Sequence, residues 1–288
     1  MKEHFRVTKT CPDTRARIGE LITPHGTVTT PAFMPAASQG TVKTLTPQEV
    51  KDIGISIVLS NAYHLYLRPG REIIQKLGGL HRYMVWDGPV LTDSGGYQIF
   101  SLATLRQIND EGVLFRSHID GSEHFLAPEH VIELQEKLGA DIIMPLDECV
   151  ACTDDIAIVR RAMERTHLWA ERCLKHHKSD QFLYGIVQGG IFSELRRQSV
   201  NLITSLGFSG YAIGGLSVGE TKDLTWEIVN ETTALLPKNK PRYLMGVGSP
   251  EDIVNGVALG VDLFDCALPT RVARNGALFT RTGRKNIR

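Results

Sequence analysis

The stretch from Arg242 to Cys266, RYLMGVGSPEDIVNGVALGVDLFDC, predicts a complete strand–helix–strand unit. A short apolar run comes first, and Ser249-Pro250 then provides a helix cap followed by proline at the first helical position. Gly260 follows the helical segment, as glycine commonly does where a helix ends. A second apolar run leads to Asp265 and Cys266. The stretch therefore predicts two parallel strands joined by a helix.

The same alternation recurs along most of the chain. We predict eight strands, at Pro31–Pro35, Ile55–Ser60, Pro89–Thr92, Asp141–Leu146, Phe182–Val187, Gly210–Ile213, Arg242–Val247 and Asp262–Cys266. Segments of helical period lie between most of them, at Pro47–Ile53, Arg71–Leu77, Pro128–Leu138, Asp155–His176, Phe192–Leu206, Leu224–Leu236 and Pro250–Leu259. Eight such alternations over about 250 residues predict an α/β fold, the (β/α)8 TIM barrel. A doubly wound open sheet would alternate similarly, but its glycine-rich fingerprint after the first strand is missing.

Two regions fall outside the ideal barrel pattern. Residues 5–30 alternate polar and apolar positions around two turns, which predicts an N-terminal β-hairpin region. Leu114–Phe125, with a turn at Asp120-Gly121, predicts a hairpin inserted after strand 3. No convincing eighth helix follows the eighth strand. Because no linker, repeat or low-complexity segment interrupts the pattern, we predict one TIM-barrel catalytic domain over residues 1–288, incomplete at its C-terminus.

Composition predicts a globular protein of the cytoplasm. With 288 residues of which 42% are hydrophobic, the chain can bury a large core. No apolar run approaches the ~20 residues that span a membrane, and the N-terminus shows no signal peptide. The odd, scattered set of cysteines fits a reducing compartment better than a disulfide framework. These cysteines are Cys11, Cys149, Cys152, Cys173 and Cys266.

Charge is distributed unevenly along the chain. The whole sequence has 32 basic and 32 acidic residues, yet no acidic residue follows Asp265. The basic residues of this C-terminal segment are Arg271, Arg274, Arg281, Arg284, Lys285 and Arg288. A carboxylate at a strand end beside an all-basic segment suggests chemistry on a polyanion.

The residues that end the predicted strands meet on one face of a barrel, where barrel enzymes have their active sites. Asp93, Asp147 and Asp265 follow strands 3, 4 and 8, and such carboxylates perform nucleophilic and acid–base work at a sugar carbon. Glycines after strands 3, 5, 6 and 7 allow backbone groups to approach a flat ligand, on which Tyr97 can stack. The other strand-end residues are Ser60-Asn61, Ser94-Gly95-Gly96, Gln188-Gly189-Gly190, Gly214-Gly215-Leu216 and Gly246-Val247-Gly248.

Each of these features also has an ordinary structural explanation. A strand-end aspartate such as Asp147 often caps the next helix, and glycine after a barrel strand often serves a turn alone. His64 is better explained as a packed, hydrogen-bonded histidine than as a metal ligand. Cys149 and Cys152 have zinc-like spacing, but no second cysteine pair or suitably placed histidine accompanies them, so we predict no metal site. The residues by themselves indicate a barrel enzyme with a carboxylate active site, followed along the chain by a basic C-terminal segment.

Seven motifs together carry a resemblance to a known family. They are Asn61–Gly70 (NAYHLYLRPG), Thr92–Phe100 (TDSGGYQIF), Met144–Cys149 (MPLDEC), Tyr184–Gly190 (YGIVQGG), Tyr211–Glu220 (YAIGGLSVGE), Tyr243–Pro250 (YLMGVGSP) and Asp262–Arg274. In their order and over nearly the whole chain, the sequence resembles the bacterial queuine tRNA-ribosyltransferases, also called tRNA-guanine transglycosylases.

The resemblance implies base exchange in tRNA without strand cleavage. Members of the family remove the wobble guanine from the tRNAs for aspartate, asparagine, histidine and tyrosine and insert a 7-substituted deazaguanine. Cys149 and Val218 match the bacterial pattern, which implies 7-aminomethyl-7-deazaguanine as the incoming base of queuosine biosynthesis. The base must leave the anticodon stack and be recognised through its hydrogen-bonding edge.

The resemblance also implies roles for individual residues. Asp265 would attack the ribose C1′ and form a covalent intermediate, and Asp93 would accept the proton of the incoming base. The base-binding residues implied are Asp93, Ser94, Gly95, Gly96, Tyr97, Asp147, Gln188, Gly215, Leu216 and Met245. The residues implied to bind the anticodon loop are Gly246, Val247, Gly248, Ser249, Pro250, Glu251, Asp252, Thr270, Arg271, Val272, Ala273 and Arg274.

The family pattern continues past the position of Arg288 into a zinc subdomain with a Cys-x-Cys-x-x-Cys cluster and into the closing helix of the barrel. The 288 residues contain neither, so zinc is expected in the full-length family but has no ligands to assign here. From this difference we expect reduced stability, a doubtful homodimer contact, and an exposed apolar patch where the eighth helix would lie.

Two other function classes stay open at this stage. A non-catalytic RNA-binding partner subunit would not need both Asp93 and Asp265, whose presence favours catalysis. A retaining glycosidase would also use a carboxylate pair on a barrel. The low aromatic content of 7% and the basic C-terminal segment disfavour a sugar-binding cleft.

Overall fold

The structure is a computed structural model that describes residues 4–102 and 105–287. The strands are β1 (Phe5–Thr10), β2 (Arg17–Thr23), β3 (Gly26–Thr30), β4 (Ala32–Pro35), β5 (Val58–Asn61), β6 (Val90–Asp93), β7 (Arg106–Asn109), β8 (Gly112–Arg116), β9 (Glu123–Leu126), β10 (Ile142–Ile143), β11 (Phe182–Val187), β12 (Gly210–Ile213), β13 (Arg242–Leu244), β14 (Leu263–Cys266), β15 (Ala277–Thr280) and β16 (Gly283–Asn286). The helices are α1 (Pro47–Asp52), α2 (Ala62–Leu67), α3 (Arg71–Lys76), α4 (Leu80–Met84), α5 (Gly96–Leu102), α6 (Pro128–Leu138), α7 (Ile156–His176), α8 (Ser193–Ser205), α9 (Lys222–Leu235), α10 (Pro250–Ala258) and α11 (Leu268–Arg274).

Eight parallel strands form a sheet in the spatial order β4-β14-β13-β12-β11-β10-β6-β5. The sheet closes on itself, because Ala36 after β4 forms a parallel bridge with Leu59 of β5. The N–H of Ala37 also donates to the Leu59 carbonyl over 2.6 Å. With helices between successive strands, this is the (β/α)8 barrel that the sequence predicts, and the predicted fold class is confirmed.

Element boundaries differ from the prediction where backbone chemistry intervenes. The fourth barrel strand is only Ile142–Ile143, shorter than the predicted Asp141–Leu146. Pro145 has no N–H to donate to a ladder, so pairing cannot continue through it. The sequence pattern also misses the short helices α2, α4, α5 and α11.

Both regions outside the barrel contain one strand more than the predicted hairpins. Strands β1, β2 and β3 form an antiparallel sheet, and β7, β8 and β9 form a second one after the third barrel strand. A further hairpin, β15–β16, was not predicted and follows α11. None of the described helices combines the length and the apolar character needed to cross a bilayer.

The two-residue period of the strands decides which side chains reach the active-site face. Leu91 and Leu263 point into the barrel and pack in its interior cluster, whereas Phe264 packs against the surrounding helices. Asp93 and Asp265 lie two residues beyond Leu91 and Leu263, so they share the inward direction at the C-terminal ends of β6 and β14.

The N-terminal end of the barrel is covered by the β1–β3 sheet. Phe5 and Val28 from this sheet belong to the same buried cluster as the barrel interior. Arg17 of β2 forms a two-point ion pair with Asp262, with 2.8 Å between Nε and Oδ1 and 2.5 Å between Nη2 and Oδ2. The two side chains are 5% and 0% exposed. Asp262 also accepts the N–H of Arg242 over 2.7 Å, so this pair joins the cover to two barrel strands.

We expect Asp262→Ala to lower the free energy of unfolding by about 3–5 kcal/mol, because it leaves the Arg17 guanidinium buried without its counter-charge. Urea unfolding measures the loss. Asp87→Ala is the control, since the Asp87 carboxylate pairs with Lys51 but is 80% exposed, and its removal should cost far less. Equal losses for the two variants would contradict the role given to the buried pair.

Candidate active site at the C-terminal end of the barrel

Three carboxylates meet at the C-terminal end of the barrel, as the sequence predicts. Asp93 ends β6, Asp265 lies in β14, and Asp147 follows β10. They are close enough that the negative charges of Asp147 and Asp265 both raise the pKa of Asp93. The structure therefore places the three predicted carboxylates close enough that the charge of one affects the protonation of another.

Asp265 is held by two hydrogen bonds to the same oxygen. The Tyr243 hydroxyl donates to Oδ1 over 2.7 Å, and the N–H of Gly246 donates to it over 2.6 Å. Burial raises the pKa of Asp265, while these two donors act in the opposite direction by stabilising the carboxylate. The second oxygen, Oδ2, is not used by either donor, so it can act on a bound ligand.

Asp93 is in a different environment. Its Oδ2 accepts a 3.3 Å hydrogen bond from Asn61 Nδ2. Burial, followed by the charges of Asp147 and Asp265, raises the pKa of Asp93 to about 8. Asp93 is therefore largely protonated at neutral pH, and a carboxyl group in that state can donate a proton.

Asp147 and Gln188 form a polar edge beside these two residues. Gln188 Nε2 donates to Asp147 Oδ2 over 2.8 Å. Burial raises the pKa of Asp147 to about 6, and the hydrogen bond from Gln188 opposes that rise. A Cβ atom on Gly96 would lie 2.4 Å from Asp147 Oδ1, and one on Gly215 would lie 2.2 Å from Gln188 Oε1. At Gly96 the Cβ would also lie 2.5 Å from the Asp147 carbonyl oxygen, so close approach of the backbone requires glycine there. At Gly215 the left-handed φ of +65° favours glycine.

The other predicted base-binding residues surround this edge at differing depths. Ser94 and Leu216 are buried, and Gly95 takes the left-handed φ of +95°. Tyr97 lies on α5 and is 47% exposed, and Met245 packs against the interior cluster of the barrel. The stacking of a base on Tyr97 and its contact with Met245 stay predictions.

Sequence reasoning gave no role to two residues that the structure places at the site. Tyr243 lies on an inward strand position, where it resembles an ordinary core aromatic, but its hydroxyl bonds Asp265. Glu220 accepts from the N–H of Ser217 and, over 3.1 Å, from that of Val218. Although burial opposes it, these bonds lower the pKa of Glu220. Ser217 takes a left-handed φ of +60°, which is unfavourable for a residue other than glycine. The hydrogen bonds from Ser217 and Val218 to Glu220 stabilise this turn after Leu216.

The predicted RNA-binding residues occupy two adjacent segments. In the first, Ser249 caps α10 by accepting the N–H of Asp252, whose carboxylate pairs with Lys222. Of the remaining residues in that segment, Val247 is buried and Gly248 packs against Phe33. The second segment is on α11, where Thr270 is partly buried, Val272 is buried, and Arg271, Ala273 and Arg274 are exposed. Pro250 and Glu251 are at the start of α10, and Gly246 binds Asp265.

The rest of the basic C-terminal segment lies on the β15–β16 hairpin. Arg284 and Lys285 are exposed on β16, and Arg281 is exposed in the turn before it. Arg288 lies outside the described residues. The hairpin contacts α11, so its charges adjoin those of Arg271 and Arg274.

The cysteine pair near the site does not suit zinc. Burial raises the pKa of Cys149 to about 12, and the charges of Asp147 and Asp93 add to the rise. Zinc binds thiolates, which this environment disfavours.

Within the described ranges, one group of three side chains has ligand atoms within 4.8 Å of one another, namely His25, His81 and Asp141. His25 Nδ1 and His81 Nε2 lie 2.8 and 3.1 Å from the two Asp141 oxygens. Asp141 also accepts the N–H of Val90 over 2.9 Å. Because Asp141 precedes β10, this cluster lies at the N-terminal end of the barrel and is not part of the carboxylate site.

Comparison with known proteins gives a consistent result. A family model described as Queuine tRNA-ribosyltransferase matches residues 11–288. A curated queuine tRNA-ribosyltransferase from Dehalococcoides mccartyi is 58% identical over 100% of this chain and 74% of its own length. Similar relatives of the same name occur in Halothermothrix orenii, 57% identical over 96% of this chain and 74% of the relative, and in Pelotomaculum thermopropionicum, 58% identical over 100% and 78%.

We expect Asp93→Asn to stabilise the ligand-free protein at pH 8 and to leave its stability at pH 4 nearly unchanged. The pKa of Asp93 is about 8 in the folded state and ~4 in the unfolded chain, so ionisation costs folded-state stability as pH rises between these values. Asparagine cannot ionise, and the gain at pH 8 should be on the order of a few kcal/mol. Urea unfolding at both pH values measures it.

Asp120→Asn provides the matched control for this experiment. Asp120 is exposed, and hydrogen bonds from Ser122 and Ser117 lower its pKa to about 2, so it should give no gain at pH 8. A stability of Asp93→Asn that parallels the wild type at every pH would contradict the raised pKa.

Proposed function

Because this chain belongs to the queuine tRNA-ribosyltransferase family, whose members exchange guanine in tRNA for a queuine precursor, we propose that its incoming base is 7-aminomethyl-7-deazaguanine. The target is the wobble guanine of the tRNAs for aspartate, asparagine, histidine and tyrosine. The chain is thus a pentosyltransferase of queuosine biosynthesis. The observation that carries the proposal is the pair Asp93 and Asp265, two inward carboxylates of one barrel face in different protonation environments.

The first displacement uses Asp265 as the nucleophile. Tyr243 and the N–H of Gly246 hold one oxygen of its carboxylate, and the other oxygen attacks the ribose C1′. The C1′–Asp265 bond forms as the bond from C1′ to the guanine nitrogen breaks. Asp93 gives its proton to that nitrogen, so guanine leaves as a neutral molecule.

The second displacement reverses these steps with a new base. Asp93, now a carboxylate, removes the ring-nitrogen proton of the incoming deazaguanine. That nitrogen attacks C1′, and Asp265 leaves as a carboxylate. One proton moves from Asp93 and back to it in each cycle, and the RNA strand stays intact because only the glycosidic bond is exchanged.

The polar edge beside the carboxylates recognises the base. An ionised Asp147 accepts hydrogen bonds from the ring N–H and amino group of a guanine-like base, and Gln188 next to it adds a donor and an acceptor. Backbone N–H groups of Gly215 and Leu216 complete the recognition at the exocyclic oxygen. Tyr97 and Met245 lie against the two faces of the ring.

The exposed arginines of α11 hold the RNA strand. Arg271 and Arg274 offer guanidinium groups to phosphates next to the wobble nucleotide. The segment from Gly246 to Asp252 begins at the N–H that binds Asp265, so RNA bound there lies beside the nucleophile.

Three further parts of the proposal concern the protein as a whole. No cofactor is assigned to the residues of this chain, and zinc is expected only where family members supply its ligands. A homodimer is a family property that stays a prediction here. The five cysteines are free, which supports a reducing compartment, the cytoplasm.

We expect Asp265→Asn to abolish both the covalent adduct with unmodified tRNA and the incorporation of labelled guanine, because an amide is not a competent nucleophile. Denaturing gel electrophoresis detects the adduct. Asp120→Asn should keep both activities, since Asp120 is exposed in the inserted sheet. Survival of the adduct in Asp265→Asn would overturn the nucleophile assignment, and a wild-type protein that binds tRNA without exchange would favour the RNA-binding-partner alternative.

We expect Arg271→Ala and Arg274→Ala each to weaken tRNA binding and to reduce the slope of log affinity against log salt by about 0.7, because each removes one phosphate contact. Binding titrations at several salt concentrations measure the slope. Arg197→Ala is the control, since Arg197 is an exposed arginine of α8. An unchanged slope in both α11 variants would contradict the RNA-binding role of this helix.

A further inference from the structure

Arg196 of α8 is a fully buried arginine whose guanidinium binds only backbone carbonyls. Nε donates to the Gly190 carbonyl over 2.8 Å, and Nη1 donates to those of Val187 and Gly214 over 3.0 and 2.8 Å. Nη2 donates to the Gly215 carbonyl over 3.3 Å. Among the residues that the structure describes, no carboxylate lies within 4.0 Å of its nitrogens. Burial lowers the pKa of Arg196 to about 9, so this charge is costly to keep inside the fold.

The four carbonyls belong to the two loops that form the base-binding edge. Val187 is the last residue of β11 and Gly190 lies three residues beyond it, with Gln188 between them, while Gly214 and Gly215 follow β12. One guanidinium therefore fixes both loops relative to each other. The planar fork of arginine suits several acceptors at defined angles, which a lysine ammonium cannot reproduce.

The carbonyl directions decide where the neighbouring N–H groups point. In a trans peptide the C=O and the N–H of the same unit point in opposite directions. Because the Gly214 carbonyl faces Arg196, the N–H of Gly215 points away from it, and the weaker bond to the Gly215 carbonyl does the same for the N–H of Leu216. Within the described part of the chain, neither N–H has a hydrogen-bond acceptor in the protein.

We propose that Arg196 is a positioning residue that aims the Gly215 N–H at the exocyclic oxygen of the base, an inference that rests on the proposed function. The positive charge of Arg196 beside the Gly214 carbonyl polarises the peptide unit that joins Gly214 to Gly215, which makes the Gly215 N–H a stronger donor. Gly215 lies against Gln188 Oε1, so the donor is adjacent to the side chain proposed to read the same base. Arg196 would thereby favour a base that carries an oxo group, which explains why a buried, unpaired charge is kept at this position.

The test compares guanine with 2-aminopurine, which lacks the oxo group and the adjacent ring N–H, in Arg196→Lys and in the wild type. Because Asp147 is present in both proteins, the effect of the substitution is the change in the affinity for each base between the two proteins. We expect Arg196→Lys to weaken guanine binding at least 10-fold by isothermal titration, with 2-aminopurine affinity changed less than 3-fold. In exchange kinetics the KM for guanine should rise while kcat at saturating base changes less than 3-fold. Arg197→Lys, at the exposed neighbouring position, should bind both bases like the wild type.

Equal losses for both bases would show a general structural effect and overturn the proposal, as would unchanged guanine binding. If Arg196→Lys does not fold, the wild-type protein still provides a test. Hydrogen exchange at the Gly215 amide must slow when guanine binds and not when 2-aminopurine binds, and equal rates would contradict the proposal. Failure of the wild type to exchange guanine at all would instead contradict the proposed function.

Discussion

Burial of like charges is the constraint on which this molecule depends. Asp93, Asp147 and Asp265 lie together at one end of a barrel whose interior is otherwise packed with apolar side chains, and burial raises the pKa of each. The surrounding donors differ: a hydroxyl and an N–H at Asp265, and side-chain amides at the other two. These differences separate the protonation states of carboxyl groups that share one cavity.

The two ends of the barrel handle charge in opposite ways. At the N-terminal end, Asp262 is neutralised by a two-point bond from Arg17, and Asp141 accepts from two imidazoles and a backbone N–H. At the C-terminal end, no cation within the described residues pairs with Asp93, Asp147 or Asp265. The sheet between the two ends is closed by the bridge from Ala36 to Leu59, so the unpaired carboxylates are held on a complete barrel. Among the side chains that the structure describes, charge is thus paired at the N-terminal end and left unpaired at the C-terminal end, where barrel enzymes have their active sites.

The sequence was sufficient for what depends on local order. Asp93 and Asp265 each follow an apolar strand signal, and counting in twos from Leu91 and Leu263 gives their inward direction. It was insufficient for what depends on distant partners. Tyr243 resembles a core aromatic until β13 and β14 are set side by side, and Arg196 resembles a solvated helix charge until two loops enclose it. Asp141–Leu146 looks like a long strand because periodicity does not record the missing N–H of Pro145.

Gly96 and Gly215 have a consequence for how this pocket can evolve. A side chain at Gly96 would collide with the carboxylate and the backbone carbonyl of Asp147, and one at Gly215 would need both a left-handed φ and a shift of the Gln188 side chain, so the floor of the pocket tolerates little change. Under the proposed function, new base preferences would arise more readily on the side of Tyr97, which is 47% exposed, and of Met245, which is partly buried against the interior cluster. Differences in substrate among related enzymes should therefore be found in the residues at the rim of the cavity, while the residues of its floor stay the same.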